Sequence, residues 1–259
     1  MFLLNFTFWL GDDFLSIFDT RAVVIKTQDY KEWDKIIWFF SEKLGKISVI
    51  AKGAKKNRSK LFSSTLSFCY GNYNVYKGKG MYTLNEGDII DSFQSLLSDL
   101  ETITYASYFC ELIDIALNEE ESNRQLFKDF VGAFYLMKNK AVDLETLARI
   151  FELNILKASG YGLNLDKCSI CRKKLSSSNY MSFQYLGGIC GECEKINGIK
   201  ISHASYNIIK YLNNLPLEKS YRIVIPNGLK EEIYKILNII ISQNYCRKPK
   251  SLETLKYIP

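Results

Sequence analysis

The sequence predicts an α+β multidomain protein: an N-terminal OB-fold β-barrel followed by an all-helical domain that carries a four-cysteine zinc knuckle. Three observations carry this expectation. Between Arg21 and Asp91 apolar residues alternate in short runs broken by glycine, the pattern of strands. From Ser92 onward they recur at every third or fourth position, the pattern of amphipathic helices. Within the helical part, Cys168-Ser-Ile-Cys171 and Cys190-Gly-Glu-Cys193 stand eighteen residues apart, the spacing of a four-thiolate site. The chain has 259 residues, 47 % of them hydrophobic, enough to build proper cores.

Residues 1–20 read as an extra strand or helical leader. Their apolar run stops at Gly11-Asp12-Asp13, and no basic residue precedes Arg21, so neither a signal peptide nor a membrane span is expected. Residues 21–91 are the expected barrel. Its strands are placed at Ala22 to Lys26, Ile36 to Phe40, Ile47 to Ala51, the alternating stretch through Leu66, Phe68, Tyr70, Tyr73 and Val75, and Met81 to Leu84. Five short strands in this length suit an OB-fold barrel.

Residues 92–165 form the first part of the helical domain. One helix begins near Asp91 or Ser92 and buries Leu96, Leu100, Ile103, Cys110, Ile113 and Leu117. A second buries Leu126, Phe130, Phe134 and Met137. A third is capped by Asp143 and stopped at Gly160. The zinc knuckle takes residues 166–200, with Gly187-Gly188 suiting a tight ribbon of short strands. Residues 201–259 complete the helical domain with a helix over Ser202 to Asn213 and another capped by Asn227.

The candidate ligands are Cys168, Cys171, Cys190 and Cys193. Two C-x-x-C turns bring four thiolates to one closed tetrahedron, which leaves no open position for an activated water and marks one structural Zn²⁺ per chain. Paired disulfides or a redox dithiol are the competing readings, and no βαβ context supports the latter. Cys69, Cys110 and Cys246 remain as free thiols, an odd remainder that favours a reducing compartment.

Formal charge is +6, and its distribution matters more than its size. From Lys43 to Lys60 the chain carries Lys43, Lys46, Lys52, Lys55, Lys56, Arg58 and Lys60 with no acidic residue among them. A one-sign flexible loop beside a barrel recruits a phosphate backbone, and Lys46, Lys52, Lys55, Lys56, Arg58 and Lys60 are the candidate contacts; a solvated loop is the plainer alternative. Tyr70, Tyr73, Tyr76 and Tyr82 offer stacking faces, or simply barrel core. No P-loop is complete, the single histidine, His203, lacks triad partners, and no carboxylate cluster suits a two-metal nuclease. No enzyme activity is expected.

Three groups of residues together resemble the RecO family of bacterial recombination mediators. They are Ala22-Val23-Val24-Ile25-Lys26 with Tyr30-Lys31-Glu32-Trp33-Asp34, Leu44-Gly45-Lys46-Ile47 and Ala51-Lys52-Gly53-Ala54; Arg149-Ile150-Phe151-Glu152-Leu153 with Gly160-Tyr161; and Gly187-Gly188-Ile189-Cys190 with Lys250-Ser251-Leu252. The resemblance implies binding of single- and double-stranded DNA, annealing of complementary strands and, with RecR, help for RecA in replacing single-strand-binding protein, all in the bacterial cytoplasm at the nucleoid. It also implies a site for the acidic, apolar C-terminal tail of single-strand-binding protein, for which Arg149, Arg247 and Lys248 are candidates. A zinc-ribbon RNA-binding or transcription accessory protein is the alternative reading of the same basic barrel and knuckle.

Overall fold

The computed structural model describes residues 16–78 and 80–255. Five strands, β1 (Ser16–Tyr30), β2 (Asp34–Ser41), β3 (Gly45–Ala51), β4 (Tyr70–Lys77) and β5 (Tyr82–Asp91), close into a barrel in the order β1-β2-β3-β5-β4. Neighbours are antiparallel except β3 and β5, which meet in parallel at Val49↔Tyr82 and Ile50↔Thr83. The first strand is long because it serves two neighbours: Ser16 to Val23 pair with β4, and Ala22 to Tyr30 pair with β2. A register shift between Val24 and Lys26 lets it bend between them.

The period-2 pattern sorts the strand residues. Ala22, Val24, Ile37, Phe39, Ile47, Val49, Val75 and Leu84 fill the barrel. Val23, Phe40 and Tyr70 point outward, yet they too are buried, because the helices cover that face. This second core explains why Val23-Val24-Ile25 and Phe39-Phe40 are apolar without a break.

Several boundaries differ from the sequence expectation. Ser16 to Thr20 belong to β1 and pair with Lys77 to Tyr73, so the barrel starts before Arg21; Gly11-Asp12-Asp13 and the rest of the leader lie outside the described residues. Leu66 and Phe68 are not in a strand. Phe68 takes φ +71, fixed by its N–H donating to the Val24 carbonyl at 2.8 Å, and its ring packs on Phe134 at 5.7 Å between centroids.

The first long helix, α1 (Leu100–Ala116), begins at Asp99 rather than near Ser92. Phe93 at φ +50 and a short 3-10 turn from Gln94 to Ser98 intervene, and the Asp99 carboxylate accepts the Thr102 N–H at 2.9 Å. Asn123 caps α2 (Arg124–Lys138), and Asp143 caps α3 (Leu144–Ala158) as expected, each accepting from the third residue on at 2.9 Å. Gly160, at φ +86, provides the left-handed stop after α3. Short strands β6 (Tyr180–Ser182), β7 (Gly187–Gly188) and β8 (Gly198–Lys200) make a separate small sheet.

Ser202 caps α4 (His203–Asn213). In α5 (Asn227–Asn244) the expected cap, Asn227, already lies inside the helix; Pro226 stands at the N-cap and offers no side-chain bond. A short α6 (Ser251–Leu255) follows, which the sequence did not announce. Helices on both sides of the small sheet share one core: Phe109 stacks on Phe151 at 4.3 Å, Phe130 joins them, and Ile236 and Ile240 of α5 close over the cluster. The small sheet is thus an insertion into one helical body.

Barrel and helices are joined at one end of the barrel. Phe40 meets Phe127 and Phe130, each at 5.6 Å, and the turn between β2 and β3 presses on the chain between α1 and α2. There Gly45 has φ +69, and a Cβ would run into the Glu121 carbonyl. The seven residues of β3 then carry the chain about 20 Å away, at roughly 3.3 Å per residue, to the opposite end. Among the described residues, no helix is long and apolar enough to cross a membrane.

Candidate nucleic-acid interface and metal centre

At that opposite end the chain leaves β3 and crosses the barrel mouth before β4. Ala54 and Leu61 pack into the barrel core and anchor this loop, so its polar residues are forced outward. Lys52, Lys56, Arg58 and Lys60 are exposed. Lys55 is half-buried and pairs with Asp29 at 2.9 Å, a contact that holds the Asp29 carboxyl below its ordinary value. The loop is tied to the β1–β2 turn by the Lys55 N–H on the Trp33 carbonyl at 3.0 Å and the Gly53 N–H on Asp34 Oδ1 at 2.8 Å.

Lys46 does not belong to this surface. It sits at the joined end, 8 % exposed, donating to the Asp114 carbonyl at 2.6 Å and facing the Asp114 carboxylate at 3.7 Å. Five residues of strand, Ile47 to Ala51, separate it from Lys52, so charge adjacent in sequence is divided between two ends of the barrel. Its role is to tie barrel to helices.

The tyrosines also sort differently. Tyr70, Tyr73 and Tyr82 are buried, and Tyr73 donates to the Ser64 carbonyl at 2.8 Å within a site whose burial pushes its pKa far up. Tyr76 is half-buried. The exposed rings near the basic loop are instead Tyr30, Trp33 and Phe62, at 38, 47 and 49 %. Sequence reasoning passed over their surface role; the signal was an aromatic within or beside a polar turn, Tyr30-Lys31-Glu32-Trp33, where no core is available to bury it.

The four cysteines converge. Cys168, Cys171, Cys190 and Cys193 place their sulfurs all within 4.8 Å of one another, and Cys171 Sγ lies 3.8 Å from Cys190 Sγ. A tetrahedral site with Zn–S bonds of about 2.3 Å has sulfurs about 3.8 Å apart, so the donor set and its geometry fit zinc. The first turn is closed by the Arg172 N–H on the Cys168 carbonyl at 3.0 Å and the Cys168 N–H on Lys173 at 2.8 Å. Burial opposes ionisation of Cys168, but the N–H groups of Cys190, Cys171 and Ile170 outweigh it and bring its pKa down to about 6.

Gly187 and Gly188 dock this knuckle on the helices: a Cβ on Gly187 would strike the Asn164 carbonyl, and one on Gly188 the Tyr206 ring. Tyr206 is itself buried and donates to the Leu165 carbonyl at 2.9 Å.

Of the candidate partner contacts, Arg149 is excluded by position. It is 1 % exposed, its Nη2 lies 2.8 Å from Glu152 Oε1, and Tyr108 donates to the same oxygen at 2.5 Å. Burial works against its charge, but Glu152 more than compensates and holds it up. Arg149 is one positively charged member of the helical core. Arg247 and Lys248 are exposed and line a cleft of about 440 Å³ between β1, α1 and the C-terminal segment, with Ile25, Phe68 and Ile115 among its walls; Arg247 also pairs with Asp114 at 2.5 Å.

A five-stranded barrel with a basic end, docked on a helical body into which a four-thiolate knuckle is inserted, defines a modular protein of barrel, helices and knuckle. Two family models match the chain one after the other: Recombination protein O N terminal over residues 15–93 and Recombination protein O C terminal over residues 97–253. The chain is 60 % identical over 247 residues to a Clostridium kluyveri protein named DNA repair protein RecO, covering 95 % of this chain and 96 % of that one. It is 57 % identical to a Clostridium novyi protein of the same name, covering 96 and 97 %, and 31 % identical to one from Alkaliphilus metalliredigens, covering 92 and 98 %. The chain belongs to the RecO family of DNA repair proteins.

Proposed function

We propose that this chain is a recombination mediator that binds single- and double-stranded DNA and anneals complementary strands. With RecR it helps RecA displace single-strand-binding protein, working in the bacterial cytoplasm. The barrel is read as an OB-fold whose mouth loop carries the DNA contacts, and the knuckle as a structural zinc site. The observation that supports this best is the exposure of Lys52, Lys56, Arg58 and Lys60 at the barrel end turned away from the helices.

Annealing breaks no covalent bond. Cations on an exposed surface lower repulsion between two phosphate backbones, and fast, salt-sensitive contacts let strands search for register. Four phosphate contacts give a log-log salt slope of about −3 for single strands, at about −0.7 per contact. Cys168, Cys171, Cys190 and Cys193 would hold the zinc, which with four thiolate ligands would fix the knuckle's fold and supply no chemistry to annealing. The tail of single-strand-binding protein is assigned to the cleft whose apolar walls are rimmed by Lys26, Lys248 and Lys250, with Arg247 held by Asp114, and with Glu111 as the opposing carboxylate.

The test is the rate at which complementary strands coated with single-strand-binding protein anneal with and without the chain, in the absence of ATP. A large acceleration, lost when Lys52, Lys56, Arg58 and Lys60 are changed to Gln, supports the reading. No acceleration, or acceleration only of RNA strands, overturns it.

A further inference from the structure

Large aromatic rings gain by burial, and the barrel buries Phe39, Phe40, Phe68, Tyr70, Tyr73 and Tyr82. Yet Tyr30, Trp33 and Phe62 stand exposed at the end that carries the free cations. Their placement is fixed by independent contacts. Tyr30 closes β1 opposite Asp34, and Trp33 lies in the turn between them, where its carbonyl takes the Lys55 N–H. Phe62 follows Lys60 and lies under Lys35, whose Nζ is 5.5 Å from the ring centre; Lys31 Nζ is 5.3 Å from the ring of Tyr30. The three rings therefore share one end of the barrel with the exposed cations Lys31, Lys52, Lys56, Arg58 and Lys60, among which Glu32 is the exposed acidic residue of the β1–β2 turn.

We infer that Tyr30, Trp33 and Phe62 form a stacking site for unpaired nucleobases, so that this end holds a single strand by its bases as well as by its phosphates. The inference rests on the DNA-binding reading and deepens it. A cation beside an aromatic face suits a ligand with both a π surface and negative charge, which a single strand supplies at every nucleotide. A duplex offers the same phosphates but keeps its bases stacked on one another. Phosphate contacts alone do not tell the two apart; the rings do. For a protein that must act on exposed strands and release the annealed product, the rings weaken the hold once pairing removes the bases from reach.

The experiment uses the full chain, a labelled oligothymidylate, a duplex of matched length and an abasic oligonucleotide that keeps the phosphates. Trp33→Ala and Phe62→Ala are the variants, with Trp33→Phe and Phe62→Tyr as restoring substitutions; both positions are exposed, so the fold is retained. Stacking predicts that each alanine variant binds the oligothymidylate about 5- to 100-fold more weakly. Duplex and abasic affinity stay unchanged, and the salt slope stays the same because a ring releases no counterion. The aromatic replacements recover most of the loss. Equal weakening for all three ligands, or none for the single strand, overturns the stacking site. If the unsubstituted chain binds no DNA at all, the DNA-binding reading falls and takes the stacking site with it. If binding depends on the lysines but not on the rings, the stacking site alone falls.

Discussion

In the knuckle, four sulfurs from two short turns are drawn within 4.8 Å of one another and Cys168 is fully buried. At the barrel mouth, Lys52, Lys56, Arg58 and Lys60 are spread along a loop and meet solvent. The first arrangement concentrates like charge that only a cation can hold together, so its stability depends on a ligand. The second keeps like charge apart and anchored by Ala54 and Leu61 beneath it, so it is stable without a ligand and ready for one. The difference teaches that like groups which converge need a partner to stay folded, whereas like groups which diverge stay solvated without one.

The sharpest way to break this contrast is to remove the zinc that the four cysteines are proposed to hold. Structural zinc contributes an apparent 10–16 kcal/mol in small zinc-finger peptides, on the order of the whole stability of a domain. Next to its cysteines the knuckle has only a small core of its own, Cys168, Leu175 and Ile189, while Met181 of its small sheet belongs to the large helical core. Chelation, or Cys171→Ser, should therefore open residues 166–200 to protease while helical circular dichroism falls little, and metal analysis should drop from one zinc per chain to none. A knuckle that stays protease-resistant without metal would show that its docking through Gly188 and Tyr206 suffices.

How far each region was legible follows from what encodes it. The knuckle is written in ligand type and spacing, both local, so Cys168, Cys171, Cys190 and Cys193 were all readable from the chain. The helices capped by Asp143 and Ser202 were readable for the same reason, since cap and period lie within a few residues, whereas α5 starts at Pro226 without a side-chain cap and the short α6 carries too little period to be read. The mouth loop is written in charge, which says nothing about orientation: Lys46 and Lys52 look alike in sequence, and only the length of β3 separates them. Arg149 misled in the same way, because its partner Glu152 and the covering Tyr108 lie on two packed helices. The rings Tyr30, Trp33 and Phe62 were hidden behind the more regular spacing of Tyr70, Tyr73 and Tyr82, which is regular because it is core.

Arg149 gives the next largest effect and separates a buried cation from the exposed ones. Its guanidinium contacts Glu152 and lies 5.0 Å from the Tyr234 ring centre. Arg149→Met leaves the Glu152 carboxylate buried without its charge partner, which typically costs about 3–5 kcal/mol. Urea unfolding should show that loss, and Arg149→Met with Glu152→Gln together should recover part of it. Weaker binding of an acidic peptide with no change in stability would instead restore Arg149 to the surface role first expected of it.

The smallest effect compares two lysines ten residues apart in the chain and set at opposite ends of the barrel. Lys46→Ala removes the donor to the Asp114 carbonyl and one of two cations facing the Asp114 carboxylate, Arg247 being the other. The loss of a buried hydrogen-bonded charge is about 1–3 kcal/mol, and it falls on the joint between barrel and helices. Lys56 is exposed and pairs with nothing among the described ion pairs, so Lys56→Ala should leave stability within about 0.5 kcal/mol of the unsubstituted chain. On DNA the order reverses. Lys56→Ala should flatten the single-strand salt slope by about 0.7, one phosphate contact, whereas Lys46→Ala should leave the slope alone. Paired denaturation and salt titrations on these two variants read both quantities. A slope change in the Lys46 variant equal to that of Lys56 would mean that the strand reaches past the mouth to the joined end, and the division of charge along β3 would have to be abandoned.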